Sequence, residues 1–328
     1  MKIHSRRLYA ILAAVLAAFL PAGCMSAPEP AAPADDNALS IVATIKPEYD
    51  WITAVLGDNP AGASVTLMLD NGVDLHSYQP TASDIMKISE CDVFVYVGGE
   101  SDKWVKDAMQ EAVNKSMTVV NLLDVLGSRA VEEELPEGAE EEHEAEEEPK
   151  YDEHVWLSLQ NAQIFVKELA EVMCEKDPEH ADMYLENADA YNAELAQLDG
   201  EYEDAVSTAE YDTLLFGDRF PFRYLIEDYG LRYYAAFSGC SGETEASFET
   251  VLYLAGKLDE LDLRHVMKIE GSDGKIADTI IRSSKDPSRD VLTLDSMQGE
   301  TAAGKTYLDV MKSNLQVLKQ ALNRENGG

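Results

Sequence analysis

The chain has 328 residues, 45% of them hydrophobic, and a formal net charge of −36. That is enough for two domains with a sizeable core. The charge repels a phosphate backbone, which argues against nucleic acid as a partner, while solvated cations are drawn to it.

Residues 1–24 read as a leader outside the fold. Lys2, Arg6 and Arg7 form a basic start, and 8–20 is an uninterrupted apolar stretch. It is shorter than the roughly 20 residues a membrane span needs, so a signal peptide is expected. Ala22 and Gly23 before Cys24 resemble a lipobox, with Pro21 departing from the usual leucine. A lipid anchor on Cys24 is therefore expected, holding the protein to the outer face of a bacterial cytoplasmic membrane. Residues 25–38, with Pro28, Pro30 and Pro33, read as a flexible tether. Cys91, Cys174 and Cys240 remain, an odd number that leaves at least one thiol unpaired or paired between molecules.

After the tether, strand and helix signals alternate. Strands are expected at 39–44, 64–69, 92–97 and 117–120, with helices at 49–56, 81–89 and 104–113 between them. Such alternation predicts a parallel sheet flanked by helices. Residues 132–148 interrupt it with eleven glutamates, one histidine (His143) and no basic residue. A solvated loop is expected over 131–150. From 178 to 208, apolar residues recur at three- and four-residue steps, predicting one long helix. Alternation then resumes, with strands at 213–216, 233–237, 265–269 and 291–294 and helices at 224–229, 248–260, 275–283 and 307–323. The predicted fold is α/β: two parallel-sheet lobes, 39–177 and 209–328, joined by one long rigid helix.

Histidine is scarce, six in all. His76 follows the second expected strand and His154 follows the acidic run, both where an α/β sheet presents loops at strand carboxyl ends. Each alone reads as an ordinary histidine. Their surroundings say more: an H-x-Y-x-P element over 76–80, a D-x-H-x-W-L element over 152–157, and the Val-Gly-Gly-Glu-Ser-Asp-Lys-Trp run over 97–104.

With these motifs the chain resembles the solute-binding proteins of zinc and manganese ABC transporters, along essentially its whole mature length. The resemblance implies a metal site in the cleft between the lobes, two ligands from each. Carried over by motif, these are His76, His154 and Asp295, which closes the last expected strand. The remaining ligand is where the chain departs from the pattern, because no histidine precedes the helix ending in Tyr229-Gly-Leu231. Asp218 is the expected substitute, its alternative role being a helix cap or a salt bridge to Arg219 or Arg223. Glu243, Glu245 and Cys240 are held in reserve.

Two imidazoles with two carboxylates would neutralise a dication. Binding is expected to weaken as protons compete for the imidazole lone pairs. Asp74, Asp152 and Glu270 are candidates for orienting the imidazoles. The acidic run has two readings, a solvated loop or a weak collector of metal near the cleft. Zinc is the expected ion, with manganese the alternative. The expected partners are the divalent ion, a membrane permease subunit and, through Cys24, lipid; a monomer is expected. A hydrolytic enzyme is disfavoured, since no H-E-x-x-H pair or nucleophile–base arrangement occurs. The remaining rival readings are a metal-stiffened adhesin and a cofactor-binding branch of the same fold.

Overall fold

Burial on both faces of a parallel sheet calls for short, continuous apolar runs, and the inner strands are built that way. Val93, Phe94 and Val95 are all fully buried. The computed structural model describes residues 38–70, 73–138, 150–241, 245–298 and 304–324. The expected leader, Cys24, most of the tether, His143 and Glu243 lie outside the described residues.

The first half runs β1 (Ser40–Ala43), α1 (Lys46–Leu56), β2 (Ser64–Leu67), α2 (Ala82–Glu90), β3 (Val93–Tyr96), α3 (Val105–Gln110), β4 (Thr118–Asn121), α4 (Leu122–Leu126) and α5 (Leu159–Lys176). Then comes α6 (Ala181–Ser207), whose 27 residues extend about 40 Å. The second half runs β5 (Thr213–Phe220), α7 (Arg223–Tyr229), β6 (Arg232–Ser238), α8 (Phe248–Glu260), β7 (His265–Ile269), α9 (Lys275–Ser283), β8 (Asp290–Leu294) and α10 (Tyr307–Ala321).

The strands form two four-stranded sheets of the same order, β2-β1-β3-β4 and β6-β5-β7-β8. Every pairing is parallel. In each sheet the connections go one way to the second strand and the other way to the third. The carboxyl ends at that reversal are where open α/β sheets take ligands. The fold is therefore the expected pair of α/β lobes. Trp51 packs against Phe165 at a tilt and edge-to-face against Tyr307 of α10, with ring centroids at 5.4 and 5.2 Å, so one core serves both halves.

Local chemistry explains the boundaries. The start of α1 lies three residues before the expected one because Oε2 of the buried Glu48 side chain accepts the Thr44 and Ile45 N–H groups at 2.8 and 3.2 Å. Pro47 is tolerated there, since a first-turn proline forfeits no intrahelical bond. In α2 and α10, Thr81 and Thr306 exchange reciprocal cap bonds with Asp84 and Asp309. The largest omission from the expected elements is α5, which Ser158 caps by accepting the Asn161 N–H at 3.0 Å.

Candidate metal centre

His76 sits in a single 3-10 turn, Leu75–Ser77, after β2. Asp74 caps that turn: Oδ1 accepts the His76 backbone N–H at 3.0 Å, and Oδ2 accepts from Arg219 Nη2 of β5 at 2.7 Å. His154 precedes a second 3-10 turn, Val155–Leu157, that leads into α5. Asp152 Oδ1 accepts both the His154 backbone N–H at 2.8 Å and the ring Nδ1–H at 2.9 Å. The carboxylate thus holds the proton on Nδ1 and leaves the Nε2 lone pair free.

The His154 segment is tied to the second half of the chain at three further points. Tyr224 Oη donates to the Asp152 carbonyl at 3.0 Å, Trp156 Nε1 to the Ser296 carbonyl at 2.9 Å, and Tyr307 Oη to the Trp156 carbonyl at 2.7 Å. His76 is turned so that its Nε2 lies 3.2 Å from His154 Nε2, while its Nδ1 meets Ser101 Oγ at 2.7 Å. Two nitrogens on one tetrahedral zinc, each about 2.0–2.1 Å from the ion, stand roughly 3.3–3.4 Å apart. The pair therefore spans a cation with almost no adjustment.

Burial, and then the neighbouring His154, push the His76 pKa down to about 3, with Arg219 adding to the shift and Asp74 opposing it. His76 is accordingly neutral over the physiological range. Its 3.7 Å approach to Glu153 Oε2 is not an ion pair. Proton competition at His76, expected near the ordinary histidine range, is displaced to much lower pH.

Glu153 and Asp102 lie close by. Glu153 Oε1 accepts the Ser101 N–H at 2.8 Å, and Asp102 Oδ2 accepts the Gly98 N–H at 2.9 Å. Burial raises both carboxyls, Asp102 to about 7. Gly99, with φ +79°, passes so near that a Cβ would stand 2.5 Å from Glu153 Oε1.

The second lobe contributes the turn after β6. Among the described residues, one group of three metal-ligating side chains has donor atoms all within 4.8 Å of one another: His76, His154 and Cys240. Gly239 lets that turn approach, because a Cβ there would meet His154 Cε1 at 2.7 Å and the Phe220 carbonyl at 2.9 Å. Glu133, at the described start of the acidic run, accepts the Cys240 N–H at 3.2 Å. Burial, reinforced by Glu133, raises the Cys240 thiol pKa well above its usual value, so the free thiol is protonated. Gln298 closes the other side, its Nε2 3.2 Å from His76 Nε2 and its buried Oε1 without a hydrogen-bond partner.

The two expected carboxylate ligands do not join this group. Asp218 does not end its strand: β5 continues to Phe220 across a register shift between Phe216 and Arg219. Its Oδ1 accepts the Arg219 N–H at 2.9 Å, and its Oδ2 accepts the Ile269 N–H of β7 at 3.3 Å. The side chain thus stands in for a ladder bond that the irregularity removes. Neither a helix cap nor a salt bridge to Arg219 or Arg223 describes it.

Asp295 follows β8, where its Oδ1 accepts the Met297 N–H at 2.9 Å and Asn314 holds its backbone on both sides. Burial and then Glu270 raise its carboxyl to about 6. Glu270 touches neither imidazole through a hydrogen bond; it accepts the Ser296 N–H at 2.6 Å and the Gln298 N–H at 3.2 Å and so shapes the turn carrying Gln298. Glu245 is exposed ahead of α8 and lies outside the cluster. Sequence reasoning does not find Gly239, Ser101, Glu153 or Gln298. Glu153 and Ser101 have a usable signal, their places inside the D-x-H-x-W-L element and the 97–104 run.

Comparison with known proteins agrees with this architecture. A family profile described as zinc-uptake complex component A, periplasmic, matches residues 41–321. The zinc-binding lipoprotein AdcA of Streptococcus pneumoniae (strain R6) is 30% identical over 296 residues, covering 88% of this chain and 57% of AdcA. The chain thus spans 57% of the length of that relative. The high-affinity zinc uptake system protein ZnuA of Bacillus subtilis (strain 168) is 30% identical over 291 residues, covering 87% of this chain and 88% of ZnuA. The crystal structure of the Zn(II)-bound ZnuA-like domain of Streptococcus pneumoniae AdcA superposes with a TM-score of 0.68 at 26% identity, covering 88% of this chain and 100% of that one.

Proposed function

The chain belongs to the family of periplasmic zinc-uptake component A proteins, and from that premise we propose that it captures Zn(II) outside the cytoplasm and passes it to a membrane permease of the ABC type. The observation that carries this reading is the meeting of His76 and His154 Nε2 at 3.2 Å, at the carboxyl ends of the strands, with Asp152 fixing one tautomer. Neutral imidazoles suit zinc and bind it without a chemical step.

The ligand assignment is our proposal as well. His76 and His154 are its core, with Asp152 orienting His154. Asp295 is the carboxylate retained from the family pattern, while Asp218 is assigned to closing the β5–β7 ladder. Anchoring by lipid at Cys24, a tether over 25–38, and action as a monomer are part of the same reading. So is the division into lobes 39–177 and 209–328 about a linking helix at 178–208.

The test is competition between Zn(II) and Mn(II) for the metal-depleted full chain, repeated with His76→Ala and His154→Ala. Zinc should win at equal free concentration, and either variant should lose at least about tenfold in affinity, as even supporting residues at metal sites cost roughly 10–100-fold. Wild-type affinity in both variants would refute the site. A preference for manganese would refute the metal.

A further inference from the structure

We infer that Cys240 is itself a metal ligand, so that the captured ion is held by sulfur from the second lobe as well as by the two imidazoles. This rests on the zinc-capture reading and refines it, for in a histidine–carboxylate site no donor is soft. Three independent observations point to it.

The first is convergence, since Cys240 Sγ belongs to the single group of donor atoms, among the described residues, lying within 4.8 Å of one another. The second is the space made for it. The backbone of Gly239 runs so near the His154 ring that any larger residue would push the Cys240 turn off the imidazole. The third is the polar side chain facing the same spot, because Gln298 is only 3% exposed, reaches His76 Nε2, and has an amide oxygen with no partner. Buried polar atoms are nearly always satisfied, and an orphan beside two lone-pair nitrogens fits a place that an ion completes.

The step balances simply. As the metal–sulfur bond forms, the thiol S–H bond breaks and its proton leaves to Glu133, whose carboxylate already accepts the Cys240 N–H at 3.2 Å, or to water. The dication therefore gains one negative charge from a group that was neutral. The consequence is selectivity. Thiolate favours zinc over manganese, which prefers oxygen donors, so Cys240 supplies the discrimination that a missing third histidine would have given.

Cobalt(II) added to the metal-depleted full chain tests this directly, because a thiolate ligand adds an intense sulfur-to-cobalt charge-transfer band in the near ultraviolet. We expect the band in the wild type, its loss in Cys240→Ser, and its retention in Cys91→Ser and Cys174→Ser. In competition, Cys240→Ser should lower the preference for zinc over manganese at least about tenfold. Wild-type protein that binds cobalt without the band overturns the inference while leaving zinc capture standing, and this needs no variant to fold. If His76→Ala and His154→Ala bind zinc like wild type, the capture site itself is wrong. A band that survives Cys240→Ser would place the sulfur elsewhere and also overturn it.

Discussion

Adding one methyl group at Gly239 would test the architecture of the site without touching a ligand. A Cβ at that position stands 2.7 Å from His154 Cε1 and 3.0 Å from Nδ1, where ordinary contact begins at 3.4 Å, a shortfall of about 0.7 Å at the closer atom. Neither neighbour yields easily. His154 is held through both its backbone and its ring by Asp152, and the other close atom, the Phe220 carbonyl oxygen at 2.9 Å, is backbone. Overpacking of this kind costs about 1–3 kcal/mol. For a chain of this size the midpoint of a thermal melt should fall by about 1–2 °C per kcal/mol.

The larger effect of Gly239→Ala falls on binding. A ring displaced by more than half an ångström loses either its bond to Asp152 or its aim at the ion, and such losses weaken metal sites by roughly 10–100-fold. Competitive titration of the metal-depleted protein against a chelating indicator, with melts of the apo form alongside, measures both. Unchanged zinc affinity with an unchanged melt would refute the tight apposition of the β6 turn and His154. A lowered melt with full affinity would show that the turn, not the histidine, gives way.

Three other expectations are simpler. His76 is held at a pKa of about 3 against an ordinary 6.5, so the unfolded chain binds an extra proton between those values and stability rises with pH across that window. Denaturation at pH 4.5 and pH 7 should show His76→Gln losing less stability on acidification than wild type, and equal losses would refute the shift. Glu48, raised to about 8 mainly by burial, is chiefly protonated at neutral pH, so Glu48→Gln should change stability by less than about 1 kcal/mol whereas Glu48→Ala, orphaning two backbone N–H groups, should cost about 2–3 kcal/mol in a urea titration. Arg219→Ala removes the partner of Asp74 and should cost about 1–2 kcal/mol and loosen the His76 turn, giving a faster off-rate for zinc in stopped flow; an unchanged off-rate would separate the ion pair from the site.

Much of the fold is legible in the sequence because strand runs here are apolar and helix starts carry caps. Helices α8 and α9 and strand β7 lie where the strand–helix alternation puts them. The first helix begins earlier than its apolar spacing suggests because Glu48, at the third helical position, reaches back to the Thr44 and Ile45 N–H groups although no Ser or Thr marks the cap. The irregularity in β5 is equally hidden. Phe216, Gly217 and Asp218 read as a strand ending in a ligand, whereas Gly217 admits α9, a Cβ there falling 2.5 Å from Ala277 Cα, and Asp218 repairs the ladder.

At the site, His76 and His154 are readable from motifs. The approach of Gly239 is not, since a glycine's role in making room depends on a ring more than eighty residues away in the chain. Gln298 illustrates the same limit. Nothing in its neighbourhood in the chain announces a metal, and only the turn shaped by Glu270 aims its amide at His76.

The bonds around the two histidines are unequal, and that asymmetry has a mechanical consequence. His154 is fully enclosed, and its segment is riveted to the second lobe through Tyr224, Trp156 and Tyr307. His76, with its side chain 13% exposed, is tied across by the partly exposed Arg219–Asp74 pair and the Gln298 amide. The two imidazoles nevertheless share one support in the first lobe, because Ser101 meets His76 Nδ1 while its N–H is accepted by Glu153, the residue before His154. A movement of the second lobe would therefore break the Tyr224, Trp156, Tyr307 and Arg219 links and draw the Gly239 turn off His154, leaving the two histidines paired on the first lobe.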